Sequence, residues 1–202
     1  GRYTTIKELH ELDARLPRGV LLVLDAAYAE FVTAPDYDCG LRALFQPRGR
    51  VVVLRTFSKA YGLASLRIGW AAAPDLVFEA VARIRSPFNT NAAALNAAEA
   101  ALRDQPYLQN TVDRVTHTKD VFSSALSDLG LDVVPSQTNF VLIKFPDGGN
   151  EATSLDSALQ QAAVLGRRIS DDSNHFRLSI GTDEDMRFVL SIIRKWALEH
   201  GV

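Results

Sequence analysis

Lys59 stands just past a short apolar run at residues 51–54, with Thr56 and Ser58 before it and Arg67 after it. Two hydroxyls, an amine and a guanidinium within about a dozen positions suggest a covalent site beside an anion site. Asp25 ends another apolar run, at residues 20–24, and Tyr28 follows it by three positions. Taken singly each has a plainer role: Asp25 as a helix cap, Lys59 as a solvated amine, Arg67 and Arg177 as partners of surface acids.

Taken together they fit the demands of pyridoxal phosphate. That cofactor needs a lysine to form an imine, a carboxylate to keep its ring nitrogen protonated, and donors for its phosphate. Lys59 would supply the amine and act as base, Asp25 would pair with the ring nitrogen, and Tyr28 would bond the phenolic oxygen. Thr56, Ser58 and Arg67 would hold the phosphate.

The elements around these residues have an α/β pattern. Thr5 and Glu8 form a capping box ahead of Ile6, Leu9, Leu12 and Leu16 at helical spacing, and a Pro-Arg-Gly turn closes that helix. Residues 20–24 and 51–54 have the continuous apolar character of parallel strands covered on both faces, and ligands in such sheets bind beyond the strands' carboxyl ends. Residues 33–49 are loop-like, with a candidate short helix at 41–45. A third strand spans 68–73, and helices follow at 75–85 and 92–102. A long helix beyond Pro106, capped at Gly130, leads to strands at 132–134, 140–145, 168–169 and 176–180. Among these lie a helix at 152–165 and a final helix opened by a second capping box, Thr182 to Asp185.

The chain has 202 residues, is 47% hydrophobic and 23% charged, and carries a formal net charge of -2. Its scattered basic residues give no electrostatic footprint for nucleic acid or anionic lipid, so a small-molecule or protein partner is expected. Cys39 is the single cysteine, which excludes an internal disulfide and a cysteine metal cluster. No leader and no apolar run of bilayer length is present, so the expected location is the cytoplasm. His10, His117, His175 and His200 are too dispersed for a metal site, and Gly148-Gly149 lacks the lysine and serine of a nucleotide loop.

Four segments carry a family resemblance: Asp-Ala-Ala-Tyr-Ala-Glu-Phe at 25–31, Thr-Phe-Ser-Lys-Ala-Tyr-Gly-Leu-Ala-Ser-Leu-Arg-Ile-Gly at 56–69, Pro-Phe-Asn at 87–89 and Phe-Arg-Leu-Ser-Ile-Gly-Thr at 176–182. In that order they resemble the histidinol-phosphate aminotransferases, which are class I/II, fold-type I pyridoxal-phosphate enzymes. The resemblance implies an incomplete three-layer large domain with a mostly parallel sheet at residues 1–104, and a smaller α+β domain at 105–202 that includes the long helix. It makes Lys59 the Schiff-base lysine and assigns Asp25, Tyr28, Thr56, Ser58 and Arg67 to the cofactor. Arg177 would receive the substrate carboxylate and Arg168 its phosphate, with Arg167 as the competing register.

The implied reaction is transfer of the amino group of histidinol phosphate to 2-oxoglutarate, giving imidazole-acetol phosphate and glutamate, in a homodimer. Two alternatives remain: a related phospho-amino-acid decarboxylase, and a non-catalytic subunit or relic that binds a partner through an exposed sheet edge. Ala26 and Ser65 depart from the family's usual acid and glycine, at positions that do not themselves bear the chemistry. The family's asparagine- and proline-rich turn ends at the position of Gly1. The expectation is therefore a carboxyl-terminal portion with an unpaired edge, uncovered apolar surface, poor stability and little turnover unless another chain supplies the remainder.

Overall fold

A computed structural model describes residues 1–42, 44–46, 49–146, 149–169 and 174–201 of the chain. Gly148 therefore lies outside the described residues. So does Ala43, in the centre of the candidate helix at 41–45, where Leu41, Arg42 and Leu44 are in turns. The chain divides into two compact units, Tyr3–Val112 and Gly1–Arg2 with Asp113–Val202.

In the first unit α1 (Ile6–Arg15) begins at the expected capping box: Thr5 Oγ1 accepts from the Glu8 amide, and the Glu8 carboxylate accepts from the Thr5 amide. Strand β1 (Leu22–Asp25) pairs in parallel with β2 (Val51–Thr56), and Asp25 is in register with Leu54. Strand β3 (Gly69–Ala72) pairs with β2 antiparallel, Gly69 opposite Thr56. The sheet segment in this chain thus has the expected parallel pair, β1 with β2, and one antiparallel strand, β3, beside it. The segment from 57 to 68 contains only turns and a 3-10 helix, Ala64–Leu66, too short a connection to carry the chain back for a parallel crossover.

Leu9, Leu22, Val51 and Val53 form the core beneath this sheet. Among the described residues the second face is only partly covered: Val52 is buried there, but its neighbour Val23 is 53% exposed and Leu21 and Leu54 are open, which is the uncovered apolar surface expected of a carboxyl-terminal portion. Helix α2 (Asp75–Ile84) buries none of its residues and exposes Leu76, Phe78 and Ile84. Helix α3 (Ala92–Arg103), capped by Asn91, packs Ala94 and Ala98 against Phe57 and Ile68 and so supports the segment that carries Lys59.

The division between units falls within α4 (Gln105–Asp128). This helix starts before Pro106 rather than after it, since a first-turn position needs no amide donor, and Asp104 Oδ1 caps it by accepting from the Tyr107 amide at 3.0 Å. Gly130 ends it in a left-handed conformation, φ 84°. The second unit's sheet has the order β4 (Asp132–Val134), β5 (Phe140–Lys144), β7 (His175–Ser179), β6 (Arg167–Arg168), antiparallel throughout. Helix α5 (Glu151–Gln161) stops four residues short of expectation because Ala163 turns to φ 59°.

Helix α6 (Asp183–His200) lays Val189, Ile193 and Trp196 against Leu155, Leu159 and Phe176 in one core. Its capping box is closed by the Asp185 amide donating to Thr182 Oγ1 at 3.2 Å and the Thr182 amide donating to the Asp185 carboxylate at 2.9 Å. Thr182→Ala should cost about 1 kcal/mol in urea unfolding. The bonds from the Thr182 hydroxyl and amide hold the Asp185 carboxyl below its ordinary value. The stability they contribute is present above the unfolded-state value, near pH 4, and is lost as pH falls through the folded one. Asp185→Asn should flatten that acid limb of the stability profile.

Candidate active site

The carboxyl ends of β1 and β2 lie side by side because the strands are parallel neighbours, and the last ladder step sets Asp25 beside Leu54. The Ala26 amide then donates to the Leu54 carbonyl at 3.0 Å. Beyond that bond the two chains diverge around a pocket of about 320 Å³ lined by Asp25, Ala27, Arg55, Thr56, Ser58, Lys59 and Arg67, together with Leu54. Its volume is at the small end of ligand sites, and its lining holds an acid, two hydroxyls, an amine and two guanidiniums.

Local bonds hold these groups in place. Asp25 Oδ1 accepts from the Ala27 amide at 3.1 Å, and Thr56 Oγ1 accepts from the Ser58 amide at 3.1 Å. The turn carrying Lys59 closes when the Gly62 amide donates to the Lys59 carbonyl at 2.9 Å, with Gly62 at φ 72°. Phe57 is buried against Tyr61, ring centroids 5.0 Å apart, so the flanking residues anchor while Ser58 and Lys59 stay partly accessible. The Lys59 ammonium lies 5.2 Å from the Tyr28 ring centroid, within cation–π reach.

Arg67 adopts the left-handed conformation, φ 51° and ψ 49°, as the cap of the 3-10 helix, and its Nη1 donates to the Ala64 carbonyl at 2.8 Å. A non-glycine residue held there is costly by on the order of 1 kcal/mol, and such strain gathers at ligand clamps. Next to it Gly69 is required by close approach, since a Cβ there would lie 2.6 Å from the Arg55 carbonyl oxygen.

Of the residues expected to hold the cofactor, the structure brings Asp25, Thr56, Ser58, Lys59 and Arg67 to one pocket, with Tyr28 beside Lys59. Arg177 and Arg168 belong to the other unit. Arg177 lies on β7, its guanidinium carbon 3.9 Å from the Phe140 ring centroid. Arg167 is its cross-strand partner on β6 and therefore shares its face of the sheet. Arg168 points to the opposite face, where Nη1 donates to Thr153 Oγ1 at 3.3 Å and Nε lies 3.6 Å from an Asp156 carboxylate oxygen, both on α5.

Sequence reasoning missed Arg55 and Glu30. Arg55 Nη2 donates to Glu30 Oε1 at 2.6 Å in an ion pair whose side chains are 16% and 7% exposed. An arginine inside an apolar strand, and a glutamate two residues after Tyr28, were the available signals. Beside the pair, burial pushes the Tyr37 hydroxyl up to about 12 and raises that of Tyr61.

This site beyond two strand ends, on this fold, defines a class. The profile of the family described as aminotransferase class I and II matches residues 1–193, and the chain belongs to that family. Among curated proteins the chain is 40% identical over 197 residues to a histidinol-phosphate aminotransferase of Nitrobacter winogradskyi, covering 96% of this chain and 54% of the relative. It is 39% identical over 190 residues to one of Maricaulis maris, covering 93% and 52%. The crystal structure of histidinol-phosphate aminotransferase from Sinorhizobium meliloti in complex with pyridoxal-5'-phosphate superposes with a TM-score of 0.89 at 27% identity, over 98% of this chain and 55% of that one. The chain spans about half the length of the curated relatives it matches.

Proposed function

We propose that residues 1–104 carry the lysine side of a pyridoxal 5'-phosphate site, and that the protein moves an amino group between histidinol phosphate and 2-oxoglutarate in histidine biosynthesis. One observation carries the reading: Asp25, Thr56, Ser58, Lys59 and Arg67 line a single pocket beyond two adjacent strand ends. The donor set suits the cofactor, for it combines one carboxylate for a protonated ring nitrogen, one amine, and hydroxyls with a guanidinium for a phosphate. When bound, the cofactor supplies an electron sink for the pair left on the substrate's Cα.

The chain's own residues do the rest. Lys59 Nζ takes the Cα proton and returns it, helped by a side chain that the Gly62 turn holds at the pocket wall. The Asp25 carboxylate holds a proton on the ring nitrogen, and the Tyr28 hydroxyl orients the ring. Thr56, Ser58 and Arg67 bind the phosphate and fix the ring's position. Residues 105–202 form the smaller domain, in which Arg177 takes the substrate carboxylate. Arg168 or Arg167 takes the substrate phosphate; the shared face with Arg177 favours Arg167. The protein works as a cytoplasmic homodimer in this reading.

Adding pyridoxal phosphate to the purified protein should produce a visible absorbance band that an amino donor shifts. Histidinol phosphate with 2-oxoglutarate should then yield glutamate, whereas carbon dioxide without glutamate would assign the site to decarboxylation. No band at all would sink the cofactor reading. Asp25→Asn should retain cofactor yet lower turnover by on the order of 10²–10³-fold, measured by glutamate release.

A further inference from the structure

The parallel ladder ends with Asp25 beside Leu54, and the residues that must act with Asp25 lie past that end. Asp25 and Tyr28 are on one divergent segment, and Thr56, Ser58 and Lys59 are on the other. Backbone pairing cannot hold those segments at a set distance. Across the gap, Arg55 immediately before Thr56 meets Glu30, two residues after Tyr28, at 2.6 Å.

This contact is an unusual way to hold two segments together. A buried ion pair is weak evidence for stability, since apolar residues of similar volume often serve as well. It is also incompletely bonded: among the described residues Glu30 Oε2 and Arg55 Nε are buried without a hydrogen-bond partner. What it provides is a charge-matched connection of defined length, with the Arg55 guanidinium further confined by Cys39 Sγ at 3.6 Å and the Trp70 ring centroid at 5.6 Å. Arg55 also lines the pocket that holds Lys59, so its charge is felt there unless cancelled.

We propose that the Glu30–Arg55 pair is a positioning latch: it fixes the Asp25–Tyr28 segment against the Lys59 segment and cancels the Arg55 charge at the Lys59 amine. The latch rests on the reading of the pocket as the cofactor site. Glu30 and Arg55 touch no reacting atom; they act through Tyr28 and Lys59. The other titratable and charged groups around the pair are Tyr37, Asp38, Cys39 and Tyr61. Those across the pocket are Asp25 and Arg67.

Charge cancellation makes a prediction that simple loss of packing does not. Glu30→Gln leaves a bare cation by the amine and should speed acylation of Lys59 by acetic anhydride at fixed pH about threefold, read by peptide mass spectrometry. Arg55→Gln leaves a bare anion and should slow it by a similar factor. Glu30→Gln combined with Arg55→Gln should return the rate to near the wild-type value. In protein loaded with pyridoxal phosphate, the pH midpoint of the visible band should fall in the first variant, rise in the second and recover in the double.

Unchanged rates and midpoints in both single variants, shifts of the same sign, or a double variant that does not recover would overturn the latch. If Arg55→Gln does not fold, Arg55→Lys replaces it, keeping the charge without the planar fork. An unchanged midpoint with weakened cofactor affinity then supports the latch, and unchanged affinity overturns it. A wild-type protein with the expected acylation pattern across its variants but no visible band would preserve the latch and reject the cofactor reading. A band with no response in the variants would do the reverse.

Discussion

Lys59→Ala is expected to abolish the visible band formed with pyridoxal phosphate and to lower transamination by on the order of 10⁴-fold, the upper range for loss of a positioned base. Among the described residues Lys59 is the one amine lining its pocket, and it faces Tyr28 across 5.2 Å while Asp25, Thr56, Ser58 and Arg67 share the same walls. The remaining lining residues are two hydroxyls, two guanidiniums, a carboxylate and apolar groups, none of which can replace a primary amine as both covalent attachment and base. Phe57 and Tyr61 anchor the turn on either side, so truncating Lys59 should leave its fold intact and unfolding close to wild type. Absorbance spectra and glutamate release check both halves; a persistent band in the alanine variant would move the attachment to another residue.

Trp196→Ala should destabilise the second unit by about 3–5 kcal/mol in urea unfolding followed by circular dichroism. Trp196 is only 2% exposed and meets the Phe145 ring edge-on at a centroid separation of 5.9 Å. Its Nε1 donates to Ser154 Oγ at 3.0 Å, and it stacks on His200 at 5.0 Å. Truncation would open a large cavity among α6, α5 and β5 and leave the Ser154 hydroxyl without its indole donor, although that hydroxyl still meets His200 Nε2 at 2.8 Å. Against a total stability of 5–15 kcal/mol, typical of globular proteins, such a loss is large. Trp196→Phe, which keeps most of the ring, should recover more than half of it.

Local patterns survived the passage from sequence to structure because short-range chemistry sets them. Both capping boxes, at Thr5 with Glu8 and at Thr182 with Asp185, close as their spacing requires. The run at 51–54 became β2, extended to Thr56, and the run at 20–24 became β1, displaced by one or two residues. The apolar stripe of Val189, Ile193 and Trp196 is buried on one face of α6. The helix expected at 152–165 ended early where local pattern gave no warning, since α5 stops at a positive-φ alanine that no side-chain pattern announces, and the antiparallel direction of β3 follows from its short connection rather than from its residue types.

For residues 51–70, then, the sequence alone identified an amine, two hydroxyls and an arginine at the end of an apolar strand, and a family in which that set has meaning. Residue type and order determine such chemistry, since they settle which donors and acids exist and which lie within one turn of another. Residue chemistry also proposed Asp25 for that set, and the tertiary structure supplied the reason it can join, the parallel register of β1 and β2 that brings it to the same pocket. The tertiary structure alone disclosed the Glu30–Arg55 pair and the opposite facing of Arg167 and Arg168. Pairing between strands and contact between side chains far apart in the chain depend on register, and a shift of one residue would turn every side chain of a strand to its other face.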